Sequence, residues 1–224
     1  MVHNTETTPT YADGARRVAP LALATVIDGL TFGVLATSAG FGVLPALVMS
    51  ATTFAGSAQF AAASLLGAGS GVLAAVTTAV LLNTRAILMG ISVAPALRGG
   101  RLWRFLTAQL VTDETWAIGQ VDSGRWDRRL IMGAGLTMYA GWVGGTALGL
   151  AGAGLIEDPR RFGLDAAFCA VFLAVLSLQL KTRRAWLAAL GGAGVAVALV
   201  PVAPQGVPIV AAGGVALAGG LRRV

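Results

Sequence analysis

Asp28, Arg85 and Asp165 lie within or at the border of long apolar runs, where a charge at a bilayer centre costs about 2.5–3.5 kcal/mol on insertion scales. Charges kept in such surroundings face a bundle interior, pair with one another, or mark a path for a polar solute. Asn83 and Arg85 stand two apart in "LLNTRAILMG". That spacing turns a regular helix by about 200°, so the two face opposite sides unless the helix is distorted. One can then line a cavity while the other grips a neighbouring segment. Arginine's planar fork suits a carboxylate, on an aspartate or on a ligand. Asp113 and Glu114 are adjacent acids in "TDET", and burial would raise the pKa of either and fit it to carry a proton. Each has a plainer reading. Asp28 can simply pair with Arg85, Asp113 and Glu114 can sit at a surface, and Asp165 in "FGLDAAF" can cap its helix.

A second group with chemical potential is "FAGSAQF", residues 54 to 60. Gly56, Ser57 and Gln59 stand there in place of the leucines of a simple spanning helix. Irregular backbone inside a membrane is tolerated where protein or water satisfies the freed amides and carbonyls. A break at this point would let Phe54 and Gly56 approach a ligand and give Ser57 and Gln59 hydrogen bonds to make. The alternative is a small-residue face for close helix packing, which a count of 31 glycines also suits.

The segments that must position these residues are membrane helices. Of the residues, 56% are hydrophobic and 12% charged, against about 25% charged in soluble domains. Several runs approach or exceed the roughly 20 apolar residues needed to cross hydrocarbon. A net charge of +6 is carried by short arginine clusters between apolar segments, as in cytoplasmic loops. It is not arranged as an aromatic-interleaved patch for nucleic acid. The only histidine, His3, is in the polar tail, and Cys169 is a lone cysteine in an apolar run. No internal disulfide, metal site or cofactor is expected.

The pattern predicts an all-α polytopic membrane protein of five to seven helices, with a broken or re-entrant helix over 43–66. Residues 1–17 read as a polar cytoplasmic tail, 18–221 as one transmembrane domain, and 222–224 as a basic cytoplasmic end. The apolar segments fall at about 18–38, 43–66, 72–94, 130–155 and 164–180. A marginal stretch follows residue 101, and a tract over 185–221 is interrupted by Pro201, Pro204 and Pro208. If 43–66 crossed fully, the loop with Arg98, Arg101 and Arg104 would fall outside, against the positive-inside rule. If it is a re-entrant hairpin, every basic cluster comes out cytoplasmic, and only the charge-balanced "EDPRR" lies outside.

The order of "DGLTFGVLA", "MSATTFAGSAQF", "LLNTRAILMGISVAP", "LVTDETWA", "YAGWVGGTALG" and "GLDAAFCAVFLAVL" resembles the AzlC-type large subunits of branched-chain amino acid exporters, from about residue 18 to 180. The resemblance implies proton-driven efflux of leucine, isoleucine, valine and similar amino acids across the cytoplasmic membrane of a prokaryote. It also implies a small AzlD-type membrane partner. By position it points to Asp28, Gly33, Phe54, Gly56, Gln59, Asn83, Arg85, Asp113, Glu114 and Asp165. Where the family often has a histidine after the arginine, this chain has Ala86, so proton coupling is expected of Asp113, Glu114 and Asp165.

The residues themselves agree with a zwitterionic ligand. Arg85 or the amides around Gly56 could meet a carboxylate, Asp28 with Gln59 an ammonium, and Phe32, Phe54 and Phe60 a branched side chain. A passive channel for small solutes is the alternative. An intramembrane enzyme is disfavoured, since a serine–histidine mechanism lacks its histidine.

Overall fold

The computed structural model describes residues 8–122, 125–153, 173, 176–177, 180, 182–203, 207–208 and 211–215, with Arg85 and Asp122 described by backbone alone. The described chain is helical apart from one small hairpin. α1 (Tyr11–Ser38) begins ahead of the apolar run because a capping box starts it. Thr10 Oγ1 accepts the Asp13 N–H, and Asp13 Oδ2 accepts the Thr10 N–H at 2.8 Å, which satisfies donors that a helix start leaves open. α2 (Val43–Thr53) and α3 (Gly56–Gly67) follow, then α4 (Val72–Val93). α5 (Arg101–Ala108) and α6 (Asp113–Gly119) divide the marginal stretch. Strands β1 (Gln120–Asp122) and β2 (Arg125–Trp126) pair antiparallel, a feature the all-α expectation lacked. α7 (Arg128–Ala153) and α8 (Arg183–Leu199) complete the described elements. The segment expected over 164–180, with Asp165, lies almost wholly outside the described residues, as does half of the tract after α8.

α1 and α7 form the frame, with their backbones in contact along most of their length. A Cβ on Gly14 would meet the carbonyl of Leu130, on Gly29 that of Trp142, and on Gly33 that of Thr146. From the other side, one on Gly133 would meet Tyr11, on Gly145 Val26, and on Gly149 Leu30. Small residues four apart permit this approach, and dispersion then holds the pair where lipid gives no hydrophobic drive. Residue numbers rise together along the contact, so the two helices are parallel. Their basic starts share one end of the molecule, where Arg129 Nη1 donates to the Pro9 carbonyl.

The remaining elements hang on this frame as two bent pairs. α2 leaves the far end, brings Ser50 to a buried 2.8 Å hydrogen bond with Thr146, and stops beside Tyr139. α3 returns to the far end, where Gly67 lies against Ala39. α5 and α6 do the reverse. Trp103 starts at the near end under the Arg128 guanidinium, Leu110 reaches Gly135, and Gly119 comes back to Ile131. α4 runs from the far end to the near end, where Ser92 accepts a 2.8 Å hydrogen bond from Trp116 Nε1.

α1 and α4 are each long and apolar enough to cross a membrane. The outer face of α4 is apolar and open, with Leu73 80% and Leu88 73% exposed. The core lies between the frame and the α2–α3 pair, around Phe32, Phe60 and Trp142.

The frame can be tested at two adjacent glycines. Gly145→Val drives a branched side chain into the Val26 carbonyl, and overpacking of this kind costs about 1–3 kcal/mol or more. Gly144→Ala points into open space. In detergent, the first variant should lose most of its monodisperse peak on size-exclusion chromatography, and the second should melt like the parent.

Candidate functional site

The break between α2 and α3 is built by Phe54, whose φ of 39° and ψ of 50° place it in the left-handed region. It is the only non-glycine residue with positive φ among the described residues, a conformation that costs an L-residue about 1–2 kcal/mol. Its ring is held edge-on against Tyr139, with centroids 5.3 Å apart. The break frees backbone groups on both sides, and side chains from three elements satisfy them. Tyr139 Oη donates to the Ala51 carbonyl at 2.8 Å. Gln109 Nε2 donates to the Thr52 carbonyl at 2.9 Å. The Ala55 N–H donates to Gln59 Oε1 at 3.1 Å. A Cβ at Gly56 would stand 3.1 Å from the Trp142 ring, so glycine lets the ring pack closely on the start of α3.

The opposing turn between α5 and α6 is equally tied. The Thr112 N–H donates to Thr115 Oγ1 at 2.8 Å, and Thr115 Oγ1 donates in turn to the Leu110 carbonyl at 2.8 Å. Thr112 Oγ1 donates to Glu114 Oε2 at 2.7 Å, which orients that carboxylate.

Between the two tips lies a cavity of about 300 Å³, at the small end of the range for small-molecule sites. One wall is the tip itself, Thr53 to Ser57, with the first turn of α3 opening toward the space. The facing wall carries Gln109, Thr112, Asp113 and Glu114. Thr25 and Asp28 of α1 and Asn83 of α4 add polar groups, while Met89, Met138 and Trp142 make an apolar side. Three carboxylates therefore share a small space with the N–H groups at the start of α3, which a helix leaves without intrahelical acceptors. The acids attract a cation, and the helix start attracts an anion. A molecule bearing both charges and a short apolar group complements this wall.

The AzlC protein family model matches residues 20–156, a span that contains every residue lining the cavity. The chain belongs to the AzlC family. A membrane protein of Archaeoglobus fulgidus is 37% identical to it over 178 residues, 78% of each chain. The inner membrane protein YgaZ of Escherichia coli is 30% identical over 213 residues, 87% of this chain and 84% of that one. The branched-chain amino acid transport protein AzlC of Bacillus subtilis is 28% identical over 180 residues, 76% of this chain and 68% of its own. No solved structure matches. These relatives support a prokaryotic membrane location, in keeping with the open apolar face of α4.

In this AzlC chain the fold brings together Asp28, Phe54, Gly56, Ser57, Asn83, Asp113 and Glu114 at one cavity. It places others elsewhere. Phe32 is fully buried, stacked on Trp142 with centroids 5.9 Å apart and edge-on to Phe60 at 5.9 Å. Phe32 and Phe60 thus back the apolar side without lining it. Gly33 packs on α7, and Gln59, wholly buried, holds the break. Arg85 follows Asn83 along an uninterrupted α4, its side chain outside the description, as is the whole of Asp165.

Sequence reading missed Thr25, Gln109, Met138, Tyr139 and Trp142. Gln109 and Tyr139 carried a signal, being polar groups inside apolar stretches. Nothing in their spacing showed that they serve the carbonyls of another segment.

Tyr139→Phe keeps the ring against Phe54 and removes only the bond to the Ala51 carbonyl. Leaving a buried carbonyl unpaired costs about 1–3 kcal/mol. A thermal melt of the purified protein should fall by several degrees, and an unchanged melt would mean that the carbonyl finds another donor.

Proposed function

We propose that this chain is the large subunit of a secondary transporter that exports branched-chain and similar small hydrophobic amino acids across the cytoplasmic membrane. The observation that carries the reading is the cavity where Asp28, Asp113 and Glu114 share one space with the first turn of α3. An amino acid would set its ammonium on Asp28 and its carboxylate on the amides from Gly56, with Arg85 the alternative partner. Its branched side chain would lie toward Met89, Met138 and Trp142. Broken helices that present their ends to a substrate near mid-membrane are a recurrent solution in transporters. The family and the name of the Bacillus subtilis relative speak for transport over catalysis.

Proton coupling is assigned to Asp113 and Glu114 at the tip of α6, with Asp165 as a further candidate. The N-terminus is cytoplasmic on this reading, because the basic starts of α1 and α7 share one end and such clusters stay inside. The α2–α3 pair then enters from the outside and the α5–α6 pair from the cytoplasm. A small AzlD-type subunit completes the exporter.

The test is efflux of labelled leucine from vesicles, with and without the co-expressed partner, and with an uncoupler. Export should need the partner and collapse with the proton gradient. Asp28→Asn weakens a charge-assisted hydrogen bond of about 1.5–3 kcal/mol, so export should fall roughly ten-fold or more at sub-saturating leucine. Flux indifferent to the uncoupler would establish a passive conduit instead, and normal export by well-expressed Asp28→Asn would remove the ammonium assignment.

A further inference from the structure

A second cleft, of about 310 Å³, opens at the near end of the molecule between the last turns of α4 and the first of α5. Gly90, Ala94 and Leu97 form one side, and Arg101, Arg104 and Phe105 the other. It shares only Ala108 with the cavity between the tips.

Arg101 and Arg104 are three apart on α5 and so lie on one face. Among the described residues neither guanidinium makes an ion pair or a hydrogen bond. Their helix is also barely covered, with Leu102 72%, Phe105 62% and Leu106 48% exposed. On the other side of the cleft, Gly90 and Ala94 of α4 leave room between the two helices. α4 has 22 residues, about 33 Å of helix, enough to cross the roughly 30 Å hydrocarbon layer. Its end at Val93 therefore emerges at headgroup level. Trp103, half-exposed beside the Arg128 guanidinium, is the residue type that settles at that level.

We infer that this cleft binds an anionic phospholipid of the surrounding leaflet, its phosphate held by Arg101 and Arg104 and an acyl chain laid along Phe105 against Gly90 and Ala94. Among the described residues the two arginines have no counter-charge, and the groups flanking them have no apolar cover. One amphiphilic anion supplies both. A free anion would leave the apolar rim open, and basic pockets between helices at a headgroup surface are known to select acidic lipids.

The experiment is native mass spectrometry of the full chain, titrated with phosphatidylglycerol or phosphatidylcholine, and it is independent of any transport assay. The parent should retain one phosphatidylglycerol in preference to phosphatidylcholine. Each arginine near an acidic surface is worth about five-fold in affinity, so Arg101→Gln with Arg104→Gln should lose roughly twenty-five-fold in retention. Gly90→Phe is a second arm that spares both arginines. A Cβ at Gly90 meets nothing within 4 Å, so the ring fills the cleft, and retention should fall while the thermal melt holds. Arg183→Gln with Arg184→Gln, on α8, should bind as the parent does. Four results would overturn the inference: undiminished retention in the Arg101/Arg104 variant, equal retention of the two lipids, displacement by inorganic phosphate at matching concentration, or loss of the lipid whenever a protein partner is bound.

Discussion

A helix that breaks inside an apolar molecule leaves carbonyls and amides that the protein itself must bond, and the arrangement of this molecule follows from meeting that demand. The stop at Phe54 is met by Tyr139 from α7, Gln109 from the α5–α6 turn and Gln59 from α3. Those three bonds also fix where the tip of the break lies. It sits halfway along α7, against the opposing tip, with the start of α3 turned toward the cavity. Holding the backbone and shaping the site are thus one task, performed by the same side chains.

That arrangement needs a rigid reference, and the α1–α7 pair supplies it. Contact between backbones through Gly29, Gly33, Gly145 and Gly149 leaves no side-chain layer to re-pack. The two bent pairs lean on this frame from opposite ends, so their tips can meet only at mid-depth. Asp28 is half-buried on the same helix as Gly29 and Gly33. Its carboxylate is therefore set in place by the packing of its own neighbours against α7. The parallel direction of the frame also collects the arginines before α1 and α7 at one end, where they can serve as a topological anchor.

Much of the site was legible in residue order. Asp28, Asn83, Asp113 and Glu114 stood out because each is costly in an apolar run, and all four line the cavity. The break was visible because glycine, serine and glutamine replace leucine over residues 56–59. Other residues singled out with them do not line the cavity, for a physical reason. Phe32, Gly33 and Gln59 belong to the same motifs, but they face the frame or the break and so serve packing and backbone satisfaction. A helix motif names residues on every side of its axis, and only the neighbours decide which side opens to a ligand. Trp142 and Met138 were missed for the converse reason, because an apolar residue in an apolar helix carries no mark of the cavity it borders.

Residue order alone, through the cost of charge and of unpaired backbone in lipid, settles the helical class, the place of the break and, to within about two residues, the bounds of the α2–α3 pair, α4 and α7. It could not show that α1 and α7 run parallel with touching backbones, since glycines four apart name no partner. Nor could it show that two separate turns close on one cavity, or that a tyrosine in α7 and a glutamine beside α5 bond the end of α2. Those facts depend on which surfaces meet. Contacts between residues 88 and 57 positions apart leave no periodic trace along the chain, so tertiary packing alone decided them.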